Sequence, residues 1–266
     1  MTEQALAKYV YCVVAAGQRP SLEGLMGVDP AFGLEVVTHG GVSAVVSDVR
    51  LEEFGAEALK RNLEDLEWLE RTALAHNAVL ARALACEAVV PLRLCTIFSD
   101  EAHVRDMLER ERDYFLESLE RLRGHAEWSV KVLADPRKIE ARERGPALTA
   151  GAEGAPGHEF FARKKNERLI RDEARAMVEA AAQTTHARLR EEAAAAVLLR
   201  PQHPDVSRRS GEMVLNGAYL VERSRAAAFE AVTQELAERH RRISLDLEVS
   251  GPWAPYNFVA ARQGAT

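Results

Sequence analysis

The chain begins with an apolar run that predicts a buried strand. Residues 9–16 are apolar on both faces and lead into a loop containing glycine and proline, as is typical of a central strand. Residues 34–38 and 42–48 then flank the sequence His39-Gly40-Gly41, whose glycines permit the positive φ angles of a tight hairpin. We therefore expect a strand followed by a β-hairpin.

Helical periodicity follows the hairpin. Apolar residues recur at three- and four-residue spacing after Asn62, which is predicted to cap the first helix. A second helix is predicted to start at a cap on Ser99 and to end at Gly124. The segment 89–94 between them contains Pro91 and predicts an edge strand or a bend, because proline cannot donate to a β ladder. Two helices should thus cover one small sheet.

The middle of the chain changes from strand to loop to helix. Residues 127–133 alternate between apolar and polar, which predicts a half-buried strand. Residues 135–158 are rich in glycine and proline and predict a mobile loop, because few apolar groups offset the entropy of ordering it. A long helix is predicted over 159–197, about 58 Å if unbroken, with a short strand near 197–199 as an alternative at its end.

The last third returns to strands around one helix. Residues 213–221 predict a strand, 226–240 a helix and 243–249 a strand that alternates throughout, so that Ile243, Leu245, Leu247 and Val249 should face a core. With the strand at 127–133, this order approximates the split βαβ, ferredoxin-like plan.

The predicted fold class is α+β with two domains. The N-terminal domain spans 1–124, and the C-terminal domain spans 125–266 and carries the mobile loop, the long helix and an aromatic tail. A length of 266 residues fits two domains of ordinary size.

Composition excludes several classes of protein. Hydrophobic residues make up 47% of the chain and charged residues 29%, which is close to the globular average. With a net charge of −6, the chain as a whole lacks the excess of basic residues that nucleic-acid binding needs. No apolar run is long enough to span a membrane. Cys12, Cys86 and Cys95 are odd in number and form no C-x-x-C pair, which favours a reducing compartment over a disulfide framework or a zinc site.

Sequence motifs for catalysis or cofactor binding are missing. The chain has no phosphate-binding glycine loop, no G-x-S-x-G and no H-E-x-x-H, so acyl transfer and zinc hydrolysis lack their usual signatures, and we assign no catalytic, cofactor-binding or metal-binding residues. His76 stands on an apolar helical stripe, where it could be a ligand, a base or a packed residue with one hydrogen bond. We favour the packed residue, because no second ligand stands at suitable spacing on that face.

Two segments could contact a protein partner. Arg163, Lys164 and Lys165 form a basic stretch that could dock an acidic surface, but it lacks the interleaved aromatic residues of a nucleic-acid site. Residues 251–258 contain two prolines and the three aromatic residues Trp253, Tyr256 and Phe258, in a chain that is only 6% aromatic. These rings could plug the core of the last domain or form a contact surface for a protein.

The chain resembles the gas vesicle protein GvpF/GvpL family over most of its length. The blocks that carry this resemblance are Tyr9-Val10-Tyr11, Asp65 to Glu70 followed by His76, Val90-Pro91-Leu92-Arg93, Glu127 to Lys131, Asn216 to Val221, and Gly251-Pro252-Trp253 with Pro255-Tyr256. Leu94-Cys95 stands where the family pattern has Phe-Gly, and Ala254 and Asn257 stand where it has Pro and Ser.

The resemblance implies a two-domain α+β accessory protein that is required for gas vesicle formation. Its expected partners are the shell protein GvpA and other accessory proteins, its expected location is the gas vesicle and the cytoplasm, and it brings no catalytic residue or cofactor. The shell subunit is hydrophobic and assembles by β-pairing, so an adaptor could cover its apolar or edge surface. The alternative is a small-molecule-binding or enzymatic ferredoxin-like protein centred on His76 and Arg93.

Overall fold

The computed structural model of the chain describes residues 5–18, 20–135, 138–139, 156–201 and 211–259, and within them all side chains except those of 156–163, 166 and 167. The chain forms two compact units. Met1–Glu127 and Pro252–Thr266 make up the first, and Trp128–Gly251 the second. We predicted the division at residues 124 and 125, with the tail in the second domain, whereas the tail belongs to the first unit. Most of the loop predicted at 135–158 lies outside the described residues.

The sheet of the first unit contains five strands: β1 (Leu6–Ala15), β2 (Leu34–His39), β3 (Val42–Arg50), β4 (Val90–Pro91) and β5 (Ile97–Phe98). Their order is β2-β3-β1-β4, and β5 also pairs with β1. β1 is central and largely buried, as its apolar run predicts. Gly40 and Gly41 have φ angles of 58° and 87°, which the tight hairpin between β2 and β3 requires.

The helices of the first unit are α1 (Leu51–Phe54), α2 (Ala56–Asn62), α3 (Leu66–Ala83), α4 (Glu101–Arg110) and α5 (Arg112–Leu122). The two predicted caps are wrong. Asp65 caps α3 and Asp100 caps α4, because each carboxylate accepts backbone N–H groups of the first helical turn. Asn62 instead ends α2, where its side-chain amide donates to the carbonyl of Glu53.

One further helix boundary differs from the prediction. The helix expected to run from Ser99 to Gly124 is divided into α4 and α5 at Glu111, whose φ of −108° and ψ of 16° leave the helical region. Gly124 follows the end of α5 with a φ of 71°, a conformation that glycine adopts without strain.

An ion pair between a buried carboxylate and a partly exposed arginine holds the loop after β1 against the end of β3. The side chain of Asp29 is fully buried and accepts from Arg50 Nε at 2.8 Å and from the terminal guanidinium nitrogen at 3.1 Å. The backbone N–H groups of Ala31 and Arg50 also donate to this carboxylate. Burial alone raises the pKa of Asp29, but the hydrogen bonds from Arg50 and Ala31 outweigh it and hold the pKa below the ordinary value.

The second unit contains α6 (Pro156–Glu192), β7 (Ala195–Leu198), β8 (Glu212–Glu222), α7 (Ala226–Arg242) and most of β6 (His125–Ala134) and of β9 (Leu245–Trp253). The strand order in its sheet is β7-β8-β6-β9. Trp128 and Val130 on β6 pack with Tyr219 on β8 and with Phe229 and Leu236 on α7. None of the helices in the described part of the chain is both long enough and apolar enough to cross a membrane.

The long helix ends earlier than predicted. α6 stops at Glu192, not at residue 197, and the alternative of a short strand is closer to the structure. The backbone N–H of Ala194 donates to the carbonyl of Leu220 on β8, and β7 then pairs antiparallel with β8. The helical propensity of the alanine run is thus overridden by strand pairing.

The last strand is less buried than its alternation predicts. Leu245 is fully buried, whereas Ile243 and Leu247 are half-buried and Val249 is exposed. β9 lies at the edge of its sheet, so its side chains have a neighbouring strand on one side only.

Candidate functional site

The C-terminal segment 252–259 forms the most distinctive site of the first unit. Ala254 is buried in the hydrophobic core of that unit together with Trp68 and Leu80 of α3. Trp253 and Tyr256, on either side of Ala254, are 44% and 39% exposed. Ala254 thus anchors the segment in the core, while the rings of Trp253 and Tyr256 stay partly accessible.

A chain of hydrogen bonds connects the tail to the centre of the sheet. The Tyr256 hydroxyl lies 2.7 Å from His76 Nε2, and His76 Nδ1 lies 2.9 Å from the Tyr9 hydroxyl. The backbone N–H of Cys95 donates to the Tyr9 oxygen at 2.9 Å. Strand β1, helix α3, the segment after β4 and the tail thus meet at one histidine.

The hydrogen-bond pattern favours one neutral tautomer of His76. Burial raises the pKa of Tyr9, so its hydroxyl keeps its proton and can donate to Nδ1. Nε2–H then donates to the Tyr256 oxygen, and each of these protons has an acceptor. Burial also lowers the pKa of His76 from 6.5 to about 4, a change that a backbone hydrogen bond at Leu92 opposes. His76 is therefore neutral under ordinary conditions.

This geometry extends the prediction for His76. The residue is buried, as expected, but it makes hydrogen bonds through both ring nitrogens, not through one. A base or metal ligand needs at least one nitrogen free for substrate or metal. Within the described residues, no group of three or more His, Cys, Asp or Glu side chains could hold a metal ion.

Cys95 adopts a backbone conformation that favours glycine. Its φ is 61°, in the left-handed region, and its backbone N–H points to Tyr9. Glycine, which the resemblance leads us to expect at this position, would adopt this φ without strain. Cysteine retains the turn at the cost of some local strain.

Two further contacts fix the end of the tail. Buried Glu127 accepts from the backbone N–H of Asn257 at 2.9 Å and from its side-chain amide at 2.6 Å. Burial raises the pKa of Glu127, and the two bonds from Asn257 act in the opposite direction. Arg121 donates to the carbonyl of Phe258 at 3.1 Å. The side chains of His76, Glu127 and Arg121 thus all form hydrogen bonds with this short segment.

An open groove lies between α3 and the tail. It has a volume of about 320 Å³ and is lined by Leu80, Ala81 and Leu84 of α3 and by Trp253 and Tyr256 of the tail. The lining is mainly apolar, with the amide of Asn257 and the carboxylate of Glu127 on one side. Such a surface suits an apolar side chain or helix of a protein better than it suits a polar metabolite.

The structure separates the six predicted partner-binding residues into two groups. Trp253, Tyr256 and Phe258 lie in the tail of the first unit, and Phe258 is only half-exposed. Lys164 and Lys165 lie in the second unit as exposed residues of α6, and the side chain of Arg163 lies outside the described residues. Of the two interpretations of the aromatic segment, plugging the core of the last domain is wrong, because the segment packs in the first unit. A role of these residues in partner binding stays a prediction.

Sequence reasoning missed an exposed apolar edge in the second unit. β7 is the outermost strand of its sheet, and its Val197 and Leu198 are 37% and 57% exposed. The prediction placed most of this strand in the long helix 159–197, with a short strand near 197–199 only as an alternative. Helix and strand cannot be distinguished by periodicity in so short a run.

Comparison with known proteins gives concordant results. A family model described as gas vesicle synthesis protein GvpL/GvpF matches residues 7–260. Gas vesicle protein L of Streptomyces sp. (strain CB03234) is 36% identical over 254 residues, covering 95% of this chain and 92% of the relative. Gas vesicle protein F of the same strain is 31% identical over 265 residues, covering 96% of this chain and 100% of the relative.

A solved structure also has a similar fold. The crystal structure of the gas vesicle protein GvpF from Anabaena sp. PCC7120 aligns with a TM-score of 0.71 at 18% identity, and covers 98% of this chain and 99% of the other. The α+β architecture with two antiparallel sheets is therefore shared.

Proposed function

Because the chain belongs to the GvpL/GvpF family of gas vesicle synthesis proteins and has a role in gas vesicle formation, we propose that it is an assembly adaptor that binds the shell protein GvpA. The match over residues 7–260 is the observation that carries this proposal. Other accessory proteins of the vesicle would join the same assembly, and the adaptor would act at the gas vesicle and in the cytoplasm without catalysing a reaction.

A physical reason for an adaptor lies in the chemistry of the shell. Hydrophobic subunits that assemble by β-pairing aggregate unless their apolar surfaces are covered before assembly. The groove between α3 and the tail offers apolar contacts, and half-exposed Trp253 stands at its border. Tryptophan is enriched among the residues that dominate protein interfaces. We therefore assign the shell-binding contact in the first unit to Trp253 and its neighbours.

We also propose a fold for each unit, beyond the shared α+β architecture with two antiparallel sheets. In the second unit, the elements follow the order β6-α6-β7-β8-α7-β9, and the strands lie in the order β7-β8-β6-β9. This combination supports a ferredoxin-like domain, in which two βαβ units share one antiparallel sheet. The first unit would be a modified version, with its helices grouped after the hairpin.

Co-purification with the shell protein tests the adaptor proposal. Tagged wild-type protein should capture GvpA from a host that expresses both chains. Trp253→Ala should lower capture by about tenfold or more, because loss of an interface tryptophan commonly costs 2 kcal/mol or more. Met26→Ala is the matched control, since Met26 is similarly exposed (47%) but lies outside the groove.

Tyr256→Phe separates contact from anchoring. This variant keeps the aromatic ring but loses the hydrogen bond to His76, so it should bind GvpA with a smaller loss than Trp253→Ala. Equal capture by the wild type and by a folded Trp253→Ala variant would remove the tail from the interface. Failure of the folded wild type to capture GvpA would contradict the adaptor proposal itself.

A further inference from the structure

β7 presents an apolar strand edge in the second unit. Its residues are Ala195, Ala196, Val197 and Leu198, and only Ala196 is as much as half-buried. One side of the strand pairs with β8, and the sheet order leaves the other side at the border of the sheet. The backbone N–H of Leu199 donates to Asn216, so pairing with β8 continues beyond the strand itself.

The composition of this edge differs from that of most exposed edges. Proteins usually protect an edge strand with lysine, proline or a bulge, because an unpaired edge accepts strands from other chains. The run 193–199 contains no charged residue and no proline. A strand that carries no such protection is suited to accept a partner strand.

The charges around β7 are mainly positive. Arg190 precedes the strand and Arg200 follows it, and neither makes an ion pair with any residue in the part of the chain that the structure describes. The neighbouring Glu191 and Glu192 are already paired, the first with Arg188 and the second with both Arg188 and Arg225. In a chain with a net charge of −6, this edge is therefore a local basic site.

A groove beside the strand places one of these cations against the apolar surface. It has a volume of about 520 Å³ and is lined by His186, Arg190, residues 193–196 and Leu198. His186 is held there by a hydrogen bond of 3.0 Å between its Nδ1 atom and the Tyr219 hydroxyl. Burial and the nearby charge of Arg190 lower the pKa of His186, which agrees with a positive potential in the groove.

A second copy of the chain does not fit this edge. Pairing two β7 strands would bring Arg190 and Arg200 of both copies, four positive charges, to one short contact. Juxtaposed like charges oppose association. Acidic residues at both ends of a partner strand would instead be attracted to the two arginines.

We propose that β7 accepts, as an added strand at the border of the sheet, an extended apolar segment with acidic residues on both sides. Main-chain hydrogen bonds to β7 supply affinity, and Arg190 and Arg200 select the charge pattern. The natural source of the segment rests on the proposed function, in which the shell protein is the partner.

Substitution at the edge tests the proposal with a matched control. Val197 on β7 and Val36 on the edge strand β2 are both 37% exposed. Val197→Asp should reduce capture of co-expressed GvpA by at least about tenfold, because aspartate disfavours strand pairing and repels an acidic partner. Val36→Asp should capture as much as the wild type. Equal loss in both variants would contradict a site at β7.

Charge reversal gives a second variant that leaves the apolar strand intact. Arg190→Glu with Arg200→Glu should lose capture, and the loss should be greatest at low salt, where charge contributes most. Arg82→Glu with Arg110→Glu makes the same change in net charge at exposed positions of the first unit and should have no effect. Wild-type capture by the Arg190 and Arg200 variant would exclude charge selection at β7.

Synthetic peptides separate this inference from the adaptor proposal. Two labelled peptides share a valine- and isoleucine-rich centre and carry either glutamates or lysines on both sides. Fluorescence anisotropy should show binding of the glutamate peptide to the full chain, at least about tenfold weaker binding of the lysine peptide, and loss of binding in Val197→Asp. If GvpA is not captured but the glutamate peptide binds in this way, the edge site stands and the adaptor proposal fails. If the wild type captures GvpA, the β7 variants capture it equally well and neither peptide binds, the edge site is contradicted.

Discussion

Replacing Asp29 by alanine is expected to lower the free energy of unfolding by about 2 kcal/mol, because several hydrogen-bond donors lose their buried acceptor. The carboxylate is fully buried and accepts two hydrogen bonds from the Arg50 side chain. Alanine would also leave the backbone N–H groups of Ala31 and Arg50 without this acceptor. Urea unfolding of the full chain, followed by circular dichroism, measures the change.

Two comparisons identify the cause of that loss. Asp113→Ala removes an exposed carboxylate that lies 3.6 Å from Arg112, and should leave stability unchanged within error. Asp29→Asn keeps an oxygen that can accept from the backbone N–H of Ala31, so it should lose less stability than Asp29→Ala.

The stability that Asp29 contributes depends on pH. Because the folded state lowers the pKa of Asp29, this stability is present above the unfolded pKa of about 3.9 and disappears as the pH falls through the folded value. Equal stability of wild type and Asp29→Ala at neutral pH would refute this account of the ion pair.

His76 is expected to make the first unit sensitive to acid. Its pKa is 6.5 in the unfolded chain and about 4 in the folded chain, so the unfolded state binds the proton first as the pH falls. The free energy of unfolding should therefore decrease by about 3 kcal/mol between pH 6.5 and pH 4 on account of this residue. Protonation of Nδ1 would also remove the acceptor of the Tyr9 hydroxyl.

Variants at this site distinguish titration from hydrogen bonding. His76→Gln does not titrate, so its stability should change less between pH 6.5 and pH 4 than that of the wild type. Tyr256→Phe keeps the buried imidazole and should lower stability by a similar amount at every pH. The pH dependence of stability that remains in His76→Gln comes from other groups. Burial lowers the pKa values of His186 and His240, so these residues also reduce stability as the pH falls. The raised pKa of Glu127 has the opposite effect on stability. An identical pH profile of the wild type and His76→Gln would exclude His76 as the source.

The elements of this fold were predictable where the sequence carries a strong local signal. The apolar run of β1, the two glycines of the β2-β3 hairpin and the periodicity of α7 each predict the observed structure. Boundaries were predicted less well, because neighbouring polar residues compete for the same role. Asn62 and Asp65 are both good caps, and only the end of α2 decides that Asp65 caps α3.

The candidate site could be predicted only in part. The cluster of Trp253, Tyr256 and Phe258 stands out in the sequence, but its position does not, because Tyr256 and His76 are 180 residues apart in the chain. No local pattern encodes a hydrogen bond at that separation. The edge strand β7 was predicted only as a short alternative near 197–199 for a different reason: alanine favours helix in isolation, and pairing with β8 decides otherwise.

Gas vesicle formation in a host that carries the other gas vesicle genes is the most direct test of the central claim. The cells are compared with and without the gene for this chain, and vesicles are measured as light scattering that disappears when pressure collapses them. We expect pressure-sensitive scattering only when the chain is present, and a reduced signal for Trp253→Ala at equal protein level. Equal pressure-sensitive scattering in cells that lack the chain would contradict its role in gas vesicle formation.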